Sequence, residues 1–158
     1  KIRWAPFEQL GNFSIQSAFW IPLGDNLEGG DTQSYIDWDG ATSFTQLFND
    51  FSIGTRFSVF TELDIVLEDI GDLNRFSTPV TGIVSYFPNP KTTLYALGSF
   101  SPYWQTNFDY FAQAGVGAKY QFTPNIEIEL LYSGFTNGFL QSVGGDAATY
   151  NLGFRFNL

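Results

Sequence analysis

Apolar and polar residues alternate along most of this chain, and the period is two. The clearest stretch runs from Phe108 to Phe122. Phe108, Tyr110, Ala112, Ala114, Val116, Ala118, Tyr120 and Phe122 fall on one side, with Asp109, Phe111, Gln113, Gly115, Gly117, Lys119 and Gln121 on the other. Successive strand side chains point to opposite faces, so this spacing predicts a strand with one apolar and one polar face. The same pattern closes the sequence, where Ala148, Tyr150, Leu152, Phe154, Phe156 and Leu158 oppose Thr149, Asn151, Gly153, Arg155 and Asn157. Between these two, Ile126, Ile128, Leu130 and Tyr132 oppose Glu127, Glu129 and Ser133. Earlier, Phe57, Val59, Thr61, Leu63, Ile65 and Leu67 oppose Arg56, Ser58, Glu62, Asp64 and Glu68. Weaker alternation predicts strands over 13–21, 76–87 and 94–100, and a short leading strand over 1–7. Residues 42–53 break the period and read as a strand carrying a bulge. Nine strands result, and no helical spacing competes with them.

The connections fall into two kinds. Those at 8–12, 54–55, 88–91 and 123–125 are tight, whereas those at 24–40, 69–74, 101–107 and 136–146 are longer and polar or glycine-rich. Short and long alternate strictly along the chain. A soluble meander has no reason to sort its turns in this way. A barrel of the bacterial outer membrane has one, because short turns lie on the periplasmic side and long loops outside.

Composition sharpens that reading. Aromatic residues make up 19% of the 158 positions, with 18 Phe, 8 Tyr and 4 Trp, while charged residues make up only 15%, against about 25% in an ordinary soluble domain. The mean hydropathy is nonetheless -0.06, and no apolar run approaches the ~18 residues of a membrane-spanning helix. The charges sit on the polar side of the pattern: Arg56, Glu62, Asp64, Glu68, Arg75, Lys119, Glu127, Glu129 and Arg155. Enclosing them in a dry core would be costly unless all were paired, whereas lining an aqueous lumen costs little. The apolar side then faces lipid, with Phe108, Tyr110, Tyr120, Phe122, Tyr132, Tyr150, Phe154 and Phe156 as its aromatic girdle. The expected fold is all-β: one domain over 1–158, an antiparallel up-and-down transmembrane β-barrel in the bacterial outer membrane, with the lipid bilayer as its partner. The turn order puts Leu158 on the periplasmic rim. Nine is an odd number, and single-chain bacterial barrels have even counts. The expectation is therefore that N-terminal strands are lacking and that the complete barrel has ten or twelve.

Several chemistries drop out. A net charge of -9 argues against nucleic acid, whose phosphates call for a basic surface. Without Cys or His there is no thiol nucleophile, no Cys-based zinc site and no imidazole base. Glu62, Asp64 and Glu68 contain the carboxylate pair a glycosidase needs, yet carboxylates two residues apart on one strand face read more simply as lumen lining. The loop carboxylates Asp25, Glu28, Asp31, Asp37, Asp39 and Asp146 match no EF-hand spacing. No enzyme activity, metal or cofactor is expected. The tight hairpin at 123–125 places Lys119 opposite Glu129, with Arg155 in reach of Glu127 or Glu129. Such a network either plugs and orients a narrow barrel or forms a charged constriction that selects solutes. Gly115, Gly117 and Gly153 on the same side make room for bulky residues such as Phe111 or let the strands bend.

The run Ala114-Gly115-Val116-Gly117-Ala118-Lys119-Tyr120-Gln121-Phe122-Thr123-Pro124-Asn125 resembles the penultimate hairpin of many outer-membrane barrels. The ending Tyr150-Asn151-Leu152-Gly153-Phe154-Arg155-Phe156-Asn157-Leu158 resembles their closing strand, although it ends on Leu158 rather than the usual Phe. The group it most resembles is the "transporter" family related to barrels of the phenol meta-degradation pathway, with members in Bacteroidetes. The resemblance spans about the last 80 residues and implies passive solute passage without supplying site residues. The expected function is a passive pore or channel-like transport protein for small solutes. The alternative is an accessory barrel in a larger assembly, offering loop aromatics (Tyr35, Trp38, Tyr103, Trp104) to other outer-membrane proteins. A soluble ligand-binding barrel would put its apolar face inside, and here that face reads as the outer one.

Overall fold

A computed structural model describes residues 2–4, 12–21, 40–70, 75–104, 108–137 and 147–156. Its strands are β1 (Ile2–Trp4), β2 (Ser14–Trp20), β3 (Thr42–Ile53), β4 (Phe57–Glu68), β5 (Arg75–Ser77), β6 (Val80–Asn89), β7 (Thr92–Trp104), β8 (Asp109–Thr123), β9 (Ile126–Asn137) and β10 (Ala147–Phe156). They form one antiparallel sheet in which neighbours follow chain order. β5 and β6 are one strand with a local interruption. Against β4 the pairs Val66↔Ser77 and Leu63↔Val80 share a register, as do Phe76↔Trp104 and Val80↔Phe100 against β7. The interruption falls at Thr78-Pro79, since proline has no N–H to give. Its carbonyl still accepts the Asp64 N–H at 2.8 Å, and the Thr78 N–H reaches Pro102 O at 3.4 Å. Nine strands therefore cross the sheet among the described residues, in line with the alternation.

The expected bulge within 42–53 is absent: β3 pairs with both β2 and β4 without a shift. The period looked broken because β3 carries aromatics on both faces. Phe44 and Phe48 share the polar face with Gln46, while Phe51 and Ile53 lie on the apolar one. The irregularities sit instead beside two tight turns, between Tyr86 and Asn89 and between Gln121 and Thr123, where one extra residue lets the ladder meet its turn. Loop limits also move. β7 continues to Trp104 and β9 to Asn137, so Tyr103 and Trp104 are strand residues rather than loop contacts. Tyr35, Trp38, the loop carboxylates Asp25 to Asp39 and Asp146, and the terminal Asn157 and Leu158 lie outside the described residues. In the turn after β3, Gly54 takes φ +63°, a left-handed conformation that costs glycine nothing.

The two faces differ sharply. On one, most residues paired directly across the strands are apolar, as in Val59↔Val84↔Ala96↔Val116↔Tyr132↔Tyr150, with polar exceptions such as Ser17↔Thr45 and Asn49↔Thr61. This face is open, with Val116 58% and Tyr150 83% exposed. Of the large hydrophobic side chains that are exposed among the described residues, all but Trp20 and Phe87 lie on it. Residues on the opposite, polar face are mostly half-buried, alternating one for one with exposed neighbours along β7. Side chains crowd on the inside of a curved sheet and splay on the outside, so the polar face is the concave one. Among the described residues no second layer covers either face, since strands touch only their neighbours. The enclosed residues are small: Ser14, Ala41, Ser77, Pro102 and Ser133.

Among the described residues cohesion therefore comes from backbone ladders and cross-strand pairs instead of a hydrophobic core. Ring pairs such as Phe57–Tyr86 (4.9 Å, stacked) and Tyr132–Tyr150 (4.9 Å) join neighbouring strands on the apolar face, each contributing about 0.2–1 kcal/mol.

Candidate functional site

The polar, concave face gathers the charges into two groups. The first spans β7 to β10. The tight turn at Pro124-Asn125 fixes the β8–β9 register, which sets Lys119 directly opposite Glu129. Lys119 Nζ lies 3.5 Å from Glu129 Oε1 and 5.5 Å from the centre of the Tyr95 ring. The Tyr95 hydroxyl donates to the same Glu129 oxygen. To get there from β7 it crosses β8, and Gly117 makes that possible. Tyr95 is paired with Gly117, and a Cβ on Gly117 would stand 2.2 Å from the tyrosine ring. The bulky residue that glycine accommodates is thus Tyr95, not Phe111. One strand further, Arg155 faces Glu127 in register, and their charged atoms are 3.5 Å apart.

The second group spans β2 to β4. Gln16 Nε2 donates to Gln46 Oε1 at 2.6 Å, and Gln46 Nε2 donates to Glu62 Oε1 at 2.5 Å. Asp64 stands opposite Gln46, and its Oδ1 is buried without a hydrogen-bond partner. Sequence reasoning placed Glu62 and Asp64 on this face but missed the two glutamines, because the bulge expected within 42–53 hid the face of Gln46, and Gln16 joins it only across the long connection between β2 and β3.

The remaining predicted charges are peripheral. Arg56 does not line the face from a strand. It is exposed in the turn between β3 and β4, where its carbonyl accepts the Phe87 N–H at 2.8 Å. The strand starts one residue later, at Phe57, because the turn consumes Arg56. Glu68 and Arg75 face each other near the strand ends, but Arg75 turns to Asp69, with Nε 3.8 Å from Oδ2. Among the described residues no three carboxylates cluster to hold a metal ion. The aromatic set falls on the apolar face: Phe108, Tyr120, Phe122, Tyr132, Tyr150, Phe154 and Phe156 are exposed. Tyr110 is half-buried between Phe100 and Phe108, with ring centres 5.8 and 6.3 Å away.

A shallow depression of about 570 Å³ lies around Ala112, Ala114, Gly134 and Ala148 on that same face. It holds no titratable cluster. Among the described residues the ion pairs and linked amides lie on the polar face. In comparisons with known proteins, the chain matches no family model, no curated protein and no solved structure.

Proposed function

We propose that this chain is a β-barrel of the bacterial outer membrane acting as a passive pore or channel-like transport protein for small solutes, with the charged face lining the lumen. The observation that carries this reading is the inversion of the usual arrangement. Large apolar side chains cover the exposed, convex face, and the half-buried, concave face holds the ion pairs. In water, a contiguous apolar surface of this extent would drive association. In a bilayer it is the favourable outer wall, with charges kept to the interior. The hairpin and closing-strand motifs point the same way, and a closed barrel of ten or twelve strands fits the odd number of strands among the described residues. No helix among the described residues is long and apolar enough to cross a membrane.

The test is insertion and conductance. Purified in detergent and added to a planar lipid bilayer, the protein is expected to give discrete conductance steps. A well-inserted but electrically silent protein would favour the accessory-barrel alternative. A monomer stable in detergent-free buffer would overturn the membrane reading altogether.

A further inference from the structure

We propose that the lumen passes cations in preference to anions, and that Glu62 and Asp64 on β4 set the preference. The inference rests on the pore reading above and adds the class of solute. It follows from the charge balance of the described side chains on the polar face. Among the described side chains that face carries three cations, Arg75, Lys119 and Arg155. All three are engaged by carboxylates, at Asp69, Glu129 and Glu127. Carboxylates outnumber them. Asp50 on β3 and Asp109 on β8 share the face, as does Glu68 beside Arg75, and none of the three has an ion-pair partner among the described residues.

Glu62 and Asp64 stand apart from these because they lie midway along a twelve-residue strand rather than at its ends. Every residue facing them from the adjoining strands is neutral: Phe48 and Gln46 on β3, Thr81 on β6, and Pro79, whose carbonyl takes the Asp64 N–H. Gln46 supplies an amide to Glu62, which holds the carboxylate in place without cancelling its charge. Among the described side chains the unneutralised charge at mid-height is therefore negative, and a ring or band of side-chain charge sets the sign of the ion a pore admits. A single carboxylate about 4 Å from a monovalent ion in water biases its occupancy roughly fivefold, so two of them give a clear preference.

The experiment measures reversal potential across a planar bilayer under a tenfold KCl gradient. The wild-type channel is expected to reverse towards the potassium equilibrium potential, with a cation-to-anion permeability ratio of several-fold. Glu62→Gln with Asp64→Asn should bring the ratio close to one, whereas Lys119→Gln should leave it cation-selective or raise it. Because the double variant removes a hydrogen-bonded network and can fail to fold, the wild type also carries a second test. Raising the salt from 0.1 to 1 M shortens the screening length from about 10 to 3 Å and should flatten the ratio. Conductance with a zero or anion-directed reversal potential overturns the inference and leaves the pore reading intact. An inserted protein with no conductance overturns both.

Discussion

Gly117 offers the sharpest check on how the sheet is held. An alanine there places a Cβ 2.2 Å from Tyr95 Cζ, 2.4 Å from its hydroxyl oxygen and 2.6 Å from Cε1. The obstacle is the far end of a side chain, so Tyr95 can swing away, but only by giving up Glu129. That hydrogen bond ends on a charged acceptor and is worth about 1.5–3 kcal/mol. The same movement removes the Lys119 cation from the ring face, worth roughly 0.5–1 kcal/mol at a partly exposed site. Alanine returns about 0.5–1 kcal/mol by restricting the unfolded backbone. Gly117→Ala should therefore cost about 1–3 kcal/mol. The assay is reversible urea unfolding of the refolded protein, followed by tryptophan fluorescence and run as a double-mutant cycle with Tyr95→Ala. In the Tyr95→Ala background the substitution at 117 should become neutral or slightly stabilising. If Gly117→Ala costs the same with and without Tyr95, the tyrosine does not explain the glycine and the account is wrong.

Three further outcomes follow from the face assignments. Leu152→Arg, on the exposed apolar face, should destabilise the protein by about 2–4 kcal/mol when folded into lipid vesicles, while Asn151→Arg on the opposite face should cost under about 1 kcal/mol; equal effects would refute the outward orientation. Lys119→Gln should cost no more than about 1 kcal/mol, since both members of its pair are about a third exposed and solvent screens the attraction, and a larger loss in urea unfolding would mean the pair is more enclosed than it looks. Gly98→Ala should be tolerated or stabilising by about 0.5 kcal/mol, because a Cβ there meets nothing within 4 Å, and a clear loss of folded protein on gel-shift assay would point to a neighbour that packs on that spot.

What could be read from the sequence depended on how local the determinant is. β8, β9 and β10 were legible because an unbroken period of two needs only one strand to be seen, and because the short turn between β8 and β9 fixes their register. From that register Lys119 opposite Glu129 follows directly. The Tyr95–Gly117–Glu129 crossing was not legible, since it joins three strands and is invisible in any one of them. β3 misled for a different reason. Phe44 and Phe48 sit on the polar face, where Phe48 meets Phe60 with ring centres 6.1 Å apart, so apolar residues on both faces erased the period without disturbing the ladder. Pro79 did the opposite, breaking the ladder locally while the period and register continued through it.

The sheet's edges bear most directly on the bilayer reading. Among the described residues β1 and β10 are the outermost strands, and in an antiparallel meander of nine they run in the same direction. β10 has ten residues paired on one side with β9. Half of its backbone groups point the other way, roughly ten N–H and C=O groups by the alternation of an antiparallel ladder. In water they cost little. In hydrocarbon each unmet group costs several kcal/mol, so a bare edge would cost on the order of tens of kcal/mol, more than the 5–15 kcal/mol that holds a whole domain folded. A membrane-inserted form of this sheet must therefore pair the β10 edge. Two solutions close the described strands into one single-chain barrel. Either the two edges meet as a parallel pair, or an odd number of further strands stands between them and keeps every pairing antiparallel. The second matches the even-numbered barrel proposed above and asks nothing unusual of the ladder, which is why the proposed barrel has ten or twelve strands rather than nine.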